Sequence, residues 1–251
     1  MVAEYPLVRQ FRFITRAGLW DGIGRAFEWG ANVKAYLVQK DINDGDYERF
    51  VRRAADEGAG LVCFGELAVS GCLYEPRPVT PFDRIIATLG KYPVRVLIGT
   101  PRQTEDGFFN SYVYQHEGRV QVYNKVNLFP PMNEQSIYTP GRKPGVFETD
   151  FGRIGVSICY DIRFPEVYRE LREAGVERLF VPAAFPRVRI EDWKRLLVER
   201  AKETGLPVIG INSVGDDGEN EFGGSTMVVS SDGQVLAQAD ETSEQILEVT
   251  I

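Results

Sequence analysis

Three reactive side chains stand directly after apolar stretches of the sequence, where predicted strands end. Cys159 follows the stretch at residues 154–158 and precedes a predicted helix that has Pro165 near its first position. A thiol between a strand end and a helix N-terminus is expected to have a lowered pKa, because the helix dipole favours the nucleophilic thiolate. Most lone cysteines are small buried hydrophobic residues instead, so this segment alone leaves both interpretations open.

The other two side chains are a carboxylate and an ammonium group. Glu66 follows the predicted strand at 61–64, and Lys125 follows the second strand of a predicted hairpin. An acidic residue after a buried strand is costly unless it is paired or used in chemistry. Taken one at a time, Glu66 also fits an ordinary loop charge, and Lys125 also fits a solvated strand end.

The chain contains a single histidine, which narrows the possible chemistry. His116 lies in the sequence Tyr-Gln-His-Glu-Gly between two alternating apolar runs, a pattern typical of an exposed residue at a hairpin tip rather than a catalytic one. Ser-His-Asp triads, Cys-His pairs and histidine-based metal sites need histidines in specific roles. We therefore expect catalysis by Cys, Lys, Asp, Glu or Tyr, with no metal and no cofactor.

The composition is that of a soluble globular protein, and its length of 251 residues suits one layered domain. The net charge of −7 argues against nucleic-acid and anionic-membrane partners, which need a clustered basic surface. No apolar run approaches the roughly 20 residues of a membrane span. Three cysteines without a CxxC spacing favour unpaired thiols, so we expect a cytoplasmic protein.

Strands and helices alternate along the chain, and these elements must position the reactive residues. Hairpins within an α/β chain indicate mixed rather than purely parallel sheets. The predicted strands are at 33–39, 61–64, 95–99, 178–184 and 207–214, the helices at 47–58, 81–92, 165–174 and 190–204, and the hairpins at 108–127, 145–159 and 225–236.

Taken together, the three reactive segments resemble the carbon-nitrogen hydrolase (nitrilase-like) superfamily, whose Glu, Lys and Cys occur in this chain order at three strand ends. The matching sequences are Gly-Glu-Leu at 65–67, Asn-Lys-Val-Asn-Leu-Phe at 124–129 and Cys-Tyr-Asp-Ile-Arg-Phe-Pro-Glu at 159–166. The resemblance implies a hydrolase domain at 31–251, folded as a four-layer αββα sandwich of two mixed sheets.

The resemblance also implies hydrolysis of a C–N bond through a thioester on Cys159. Glu66 would move protons, while Lys125 and the backbone N–H of Tyr160 would stabilise the oxyanion. Glu134, six residues before Pro140, matches the family's second glutamate and is expected to orient Lys125 and the substrate. An exposed loop acid is the alternative interpretation of Glu134.

The cysteine segment is most similar to the omega-amidase and deaminated-glutathione-amidase branch, which implies a small-molecule amide substrate bearing a carboxylate. Arg163 stands where carboxylate-binding members use Arg, although an ion pair with Glu166 or Asp161 is the alternative. An N-carbamoyl amide hydrolase and a catalytically silent binding or assembly module are the other functions considered. Family members often have His where Asn127 and Asp192 stand here.

Residues 1–30 have no counterpart in the resemblance and are predicted to form a docked N-terminal extension. Their apolar side chains would give a short segment too much apolar surface to leave in water. We expect this segment to take part in an interface of a homodimer or higher homo-oligomer, and packing on its own domain is the alternative. The apolar side chains concerned are Leu19, Trp20, Ile23, Phe27 and Trp29.

Overall fold

The computed structural model describes residues 33–75 and 77–251, together with the backbone of three two-residue strands near the N-terminus. These are β1 (Leu7–Val8), which pairs in parallel with the last strand, and β2 (Leu19–Trp20), which pairs with β3 (Ala26–Phe27). The prediction of a docked interface element at residues 1–30 otherwise falls outside the described residues.

The first half of the chain builds a mixed seven-stranded sheet with the strand order β1-β17-β4-β5-β6-β7-β8. The strands β4, β5 and β6 run parallel. β17 pairs antiparallel with β4, as do β7 with β6 and β8 with β7. Its elements are β4 (Lys34–Gln39), α1 (Glu48–Asp56), β5 (Leu61–Phe64), α2 (Phe82–Leu89), β6 (Arg95–Thr104), β7 (Gly107–His116), β8 (Arg119–Asn124) and the C-terminal β17 (Gln245–Thr250).

The second half builds a mixed six-stranded sheet with the order β16-β15-β12-β11-β10-β9. The strands β13 and β14 form a separate two-stranded ribbon. No helix in the described part of the chain is long and apolar enough to cross a membrane. The elements are β9 (Gly145–Thr149), β10 (Gly152–Val156), α3 (Pro165–Glu173), β11 (Arg178–Pro182), α4 (Ile190–Thr204), β12 (Val208–Ile211), β13 (Val214–Asp216), β14 (Glu221–Gly223), β15 (Met227–Val229) and β16 (Val235–Gln238).

Alternation along the strands divides the side chains between two cores. In β4, Ala35 and Leu37 join the core shared by both sheets, whereas Tyr36 and Val38 pack in the core that contains α1 and α2. Successive side chains of a strand point to opposite faces, so both faces of this sheet are covered. The predicted four-layer αββα sandwich of two mixed sheets is confirmed.

The structure places His116 at the end of β7, beside the hairpin turn. The turn residues Glu117 and Gly118 have φ angles of 46° and 77°, as a tight two-residue hairpin requires. His116 is half-buried rather than fully exposed, and it lines neither of the pockets described below.

Cys63 lies on the inner face of β5 and is fully buried in the core shared by both sheets. We expect Cys63→Ala to lower the free energy of unfolding by about 1–2 kcal/mol, because it removes a buried sulfur and leaves a small cavity. Urea unfolding measures this change. Catalytic activity should remain, and a variant as stable as the wild type would contradict the packing role.

Candidate active site

Three strand ends from the two sheets deliver the reactive residues to one pocket. Glu66 follows β5 and Lys125 follows β8 in the seven-stranded sheet, whereas Cys159 follows β10 in the six-stranded sheet. All three side chains line the same pocket, together with Glu134. The reactive residues that lie far apart in the sequence are therefore close together in the folded chain.

Lys125 is the centre of a buried cluster of charges. Its ammonium nitrogen lies 2.8 Å from Glu66 Oε1 and 2.9 Å from Glu134 Oε1, and the Lys125 side chain is 1% exposed. Burial alone would lower the pKa of Lys125, but the charges of Glu66 and Glu134 outweigh it and hold that pKa well above its ordinary value. Lys125 is therefore a permanent cation inside the pocket.

Both carboxylates are fixed by further hydrogen bonds. Glu66 accepts one from the side-chain amide of Asn110 at 2.8 Å and one from the backbone N–H of Ala184 at 3.1 Å. Glu134 accepts one from the backbone N–H of Phe129 at 2.7 Å. Burial raises the pKa of Glu134, which is a buried partner of Lys125 and not an exposed loop acid.

The backbone adopts unusual conformations at the site. Leu67, which follows Glu66, has a φ angle of 50°, and Asn133, which precedes Glu134, has a φ angle of 53°. Cys159 itself has a φ angle of 46°. Such left-handed conformations are unfavourable for non-glycine residues and persist only where the surrounding structure holds them. A Cβ atom on Gly99 would lie 2.4 Å from the backbone nitrogen of Leu67, so only glycine lets β6 approach this turn.

The thiol of Cys159 does not lie at the N-terminus of α3. A 3₁₀ turn at Cys159–Arg163 separates it from that helix, so the helix dipole does not act on it as predicted. Burial, and then the negative charge of Glu66, raise the pKa of Cys159 well above its ordinary value. The predicted lowering of this pKa is wrong, because burial disfavours the charged thiolate and the negative charge of Glu66 adds to that effect.

Asp161 joins the cysteine segment to the lysine segment. Its buried carboxylate accepts hydrogen bonds from the backbone N–H of Ile158 at 2.9 Å, the hydroxyl of Tyr123 at 2.8 Å, and the backbone and side-chain N–H groups of Asn127 at 2.8 and 3.0 Å. Sequence reasoning missed this role. The signal was an acidic residue two positions after Cys159, in the otherwise uncharged stretch at residues 154–162.

Asp161→Ala should lower the free energy of unfolding by about 3 kcal/mol, because several buried donors would lose their acceptor. Urea unfolding of this variant should be compared with that of Asp232→Ala, which changes an exposed aspartate in a turn. The control should stay within about 1 kcal/mol of the wild type. Equal losses in the two variants would contradict a bridging role for Asp161.

Tyr160 and Arg163, the two predicted substrate-binding residues, both line the pocket. Arg163 donates a hydrogen bond to Asp192 at 3.0 Å, so its carboxylate partner is neither Glu166 nor Asp161, the two partners considered from the sequence. Asp192 stands where members of the family that this sequence resembles often have His. The substitution therefore supplies an ion pair that holds Arg163 against the pocket wall.

Comparison with known proteins agrees with this geometry. The sequence model described as carbon-nitrogen hydrolase matches residues 35–251. The chain is 35% identical over 154 residues to a 2-oxoglutaramate amidase of Bacillus subtilis, covering 60% of each protein. It is 42% identical over 130 residues to a deaminated glutathione amidase of Synechocystis, covering 47% of this chain and 48% of the relative. The alignments thus span less than two thirds of these relatives.

A solved structure gives the same result for the fold. The CN-hydrolase superfamily protein of Xanthomonas campestris, whose crystal structure carries an arsenic adduct in the active site, superposes with a TM-score of 0.76 at 27% identity. The superposition covers 88% of this chain and 90% of that chain. The chain described here belongs to the carbon-nitrogen hydrolase family.

Proposed function

We propose that the protein hydrolyses the C–N bond of a small carboxylate-bearing amide, releasing ammonia through a thioester on Cys159. The observation that carries this proposal is the buried ion cluster, in which Lys125 lies within 2.9 Å of both Glu66 and Glu134, in the pocket that Cys159 lines. A nucleophile, a proton carrier and a fixed cation are the groups that amide cleavage needs.

The first half of the reaction is acylation of Cys159. Because the thiol is neutral at rest, Glu66 accepts its proton as the sulfur forms a bond to the amide carbon. Glu66 then gives this proton to the amide nitrogen, the C–N bond breaks, and ammonia leaves. The acyl group remains on the sulfur as a thioester.

The second half of the reaction is hydrolysis of that thioester. Glu66, again ionised, takes a proton from water as the water oxygen attacks the acyl carbon. The C–S bond breaks, the acid leaves, and the proton returns to the Cys159 sulfur. The reaction consumes one water for each ammonia and acid released, and it needs no oxidant or cofactor.

Lys125 is proposed to stabilise the oxyanion in both halves. Its ammonium group is held by two carboxylates, so it need not reorganise as negative charge develops on the substrate oxygen. The backbone N–H of Tyr160, the second residue of the 3₁₀ turn that starts at Cys159, is the proposed second donor. Glu134 is proposed to orient Lys125 and to offset the cost of burying the positive charge of Lys125.

The substrate class is supported by the pocket lining and by the relatives. Apolar side chains such as Leu73, Phe129 and Phe185 line the pocket together with two arginines, Arg163 and Arg189, which suits an aliphatic chain that ends in a carboxylate. The names 2-oxoglutaramate amidase and deaminated glutathione amidase support an amide as the group that is cut. Arg163 is the proposed substrate-binding residue on the inner wall.

Ammonia release from a panel of dicarboxylic monoamides, ureido acids and nitriles tests the proposal, with Cys159→Ala as the blank. The monoamides should be hydrolysed with the highest kcat/KM. Preferential turnover of ureido acids would favour an N-carbamoyl amide hydrolase, and release from no compound would favour a silent binding module. Either result would overturn the proposed substrate class.

We propose a homodimer or higher homo-oligomer that works in the cytoplasm, a reducing compartment in which its three unpaired cysteines would stay reduced. We also propose that the hydrolase domain spans residues 31–251 and that residues 1–30 form a docked extension. Deleting residues 1–30 and measuring the molar mass by light scattering tests whether this segment contributes to assembly.

A further inference from the structure

We propose that Arg189 binds the substrate carboxylate at the mouth of the pocket and so selects dicarboxylic monoamides over neutral amides. The inference rests on the proposed function and adds a specificity-determining residue to it. Arg189 ends the 3₁₀ turn Arg187–Arg189, directly before α4. This position was not among the residues that the sequence analysis selected.

Arg189 stands at the junction of two spaces. It lines the pocket that contains Cys159, and it also lines an adjoining outer pocket that is bounded by Tyr74, Asn133 and Asn220. Its guanidinium carbon lies 5.5 Å from the centre of the Phe129 ring, which lines both pockets. This cation–π contact favours a position of the guanidinium group between the two pockets.

Among the described residues, no carboxylate pairs with Arg189. Arg163 lies 3.0 Å from Asp192, and Arg187 lies 2.8 Å from Glu221, so the two neighbouring arginines each have a carboxylate partner. Within the described residues, no carboxylate lies within 4.0 Å of Arg189, although Glu219 also lines the outer pocket. Arg189 is an exposed cation that also lines the pocket of Cys159, where an anionic group of a ligand can bind it.

The inner end of the pocket directs a substrate carboxylate outward. Glu66 and Glu134 place two negative charges against the single positive charge of Lys125, so a third carboxylate at that end would be repelled. A substrate whose amide carbon lies at Cys159 must therefore point its carboxylate toward the mouth. Arg189 lines both pockets at that point, and in the part of the chain that the structure describes no ion pair competes for its charge.

The test compares two amides of equal chain length, glutaramate and pentanamide, on the full-length enzyme. Arg189→Gln should raise KM for glutaramate about tenfold, because a charge-assisted hydrogen bond is lost, while kcat stays within about twofold. Pentanamide kinetics should not change. Arg187→Gln is the matched control, since it removes the same charge two residues away at a side chain outside both pockets, and both amides should keep their wild-type kinetics.

Three results would overturn the inference. Equal losses of kcat/KM for glutaramate and pentanamide in Arg189→Gln would indicate a general structural role for Arg189. An equal rise of KM for glutaramate in Arg187→Gln would indicate that the overall positive charge of this region attracts the substrate, rather than a contact with Arg189. An unchanged KM for glutaramate in Arg189→Gln would leave the carboxylate to another residue. If the wild type hydrolysed neither amide, that result would instead count against the proposed function itself, and the inference that rests on it would be wrong as well.

Discussion

Cys159→Ala is expected to abolish amide hydrolysis, with kcat lower by at least about 10⁴-fold, while the fold stays intact. The substitution removes the atom that forms the thioester, and neither Glu66 nor Lys125 can replace it as a nucleophile toward an amide. The side chain is small and lies at a strand end, so little packing is lost. Ammonia release and thermal unfolding measure the two effects separately.

Cys63→Ala is the matched control for this experiment. It makes the same thiol-to-methyl change at a fully buried cysteine that does not line the pocket, and it should lower stability but keep kcat. Comparing the two variants therefore separates the effect of losing the nucleophile from the effect of losing a buried sulfur atom. Activity above about 1% of wild type in Cys159→Ala would require another nucleophile and would remove the thioester from the mechanism.

Lys125→Ala is expected to lower kcat by at least about 10²-fold, because the oxyanion would lose its fixed cation. It should also lower the free energy of unfolding by about 3–5 kcal/mol, since Glu66 and Glu134 would keep buried charges without a partner. Lys91→Ala, at an exposed lysine, is the control and should change neither quantity.

The pH dependence of the loss in Lys125→Ala distinguishes this electrostatic account from a packing defect. Without Lys125, burial would raise the folded-state pKa of Glu134 still further above its unfolded-state value, because the cation that lowers this pKa would be gone. The variant would then bind more protons when folded, so its stability should fall as pH rises from the unfolded pKa of about 4.3 through the folded pKa. The deficit relative to wild type should be larger at pH 8 than at pH 5, and an equal deficit would contradict the account.

Much of the fold and the centre of the site could be predicted from local patterns. The helix at 190–204 and the strand at 61–64 have the predicted bounds, because their apolar spacing is regular and their ends carry clear signals. Glu66, Lys125 and Cys159 could be selected because each places a reactive group directly after an apolar strand, and their combination resembles a known family.

The contacts that tune the site could not be predicted in this way. Asn110 and Asp161 act through hydrogen bonds to residues 44 and 38 positions away, and Arg163 is held by an acid 29 positions away. Sequence spacing does not encode such contacts, because they arise only when the chain folds into two packed sheets and their helices. The pKa of Cys159 was predicted in the wrong direction for the same reason, since burial beside Glu66 arises only in the folded chain.

The most direct test of the central claim is the mass of the enzyme quenched in acid during turnover of glutaramate or of monomethyl glutarate, in which a methyl ester replaces the amide group. The ester should acylate Cys159 faster and let the same intermediate accumulate. We predict a mass increase equal to the substrate acyl group, located on the peptide that contains Cys159 and removed by hydroxylamine, as a thioester requires. An acyl group on any other peptide, or an enzyme that turns over both compounds without a mass increase, would contradict a thioester on Cys159.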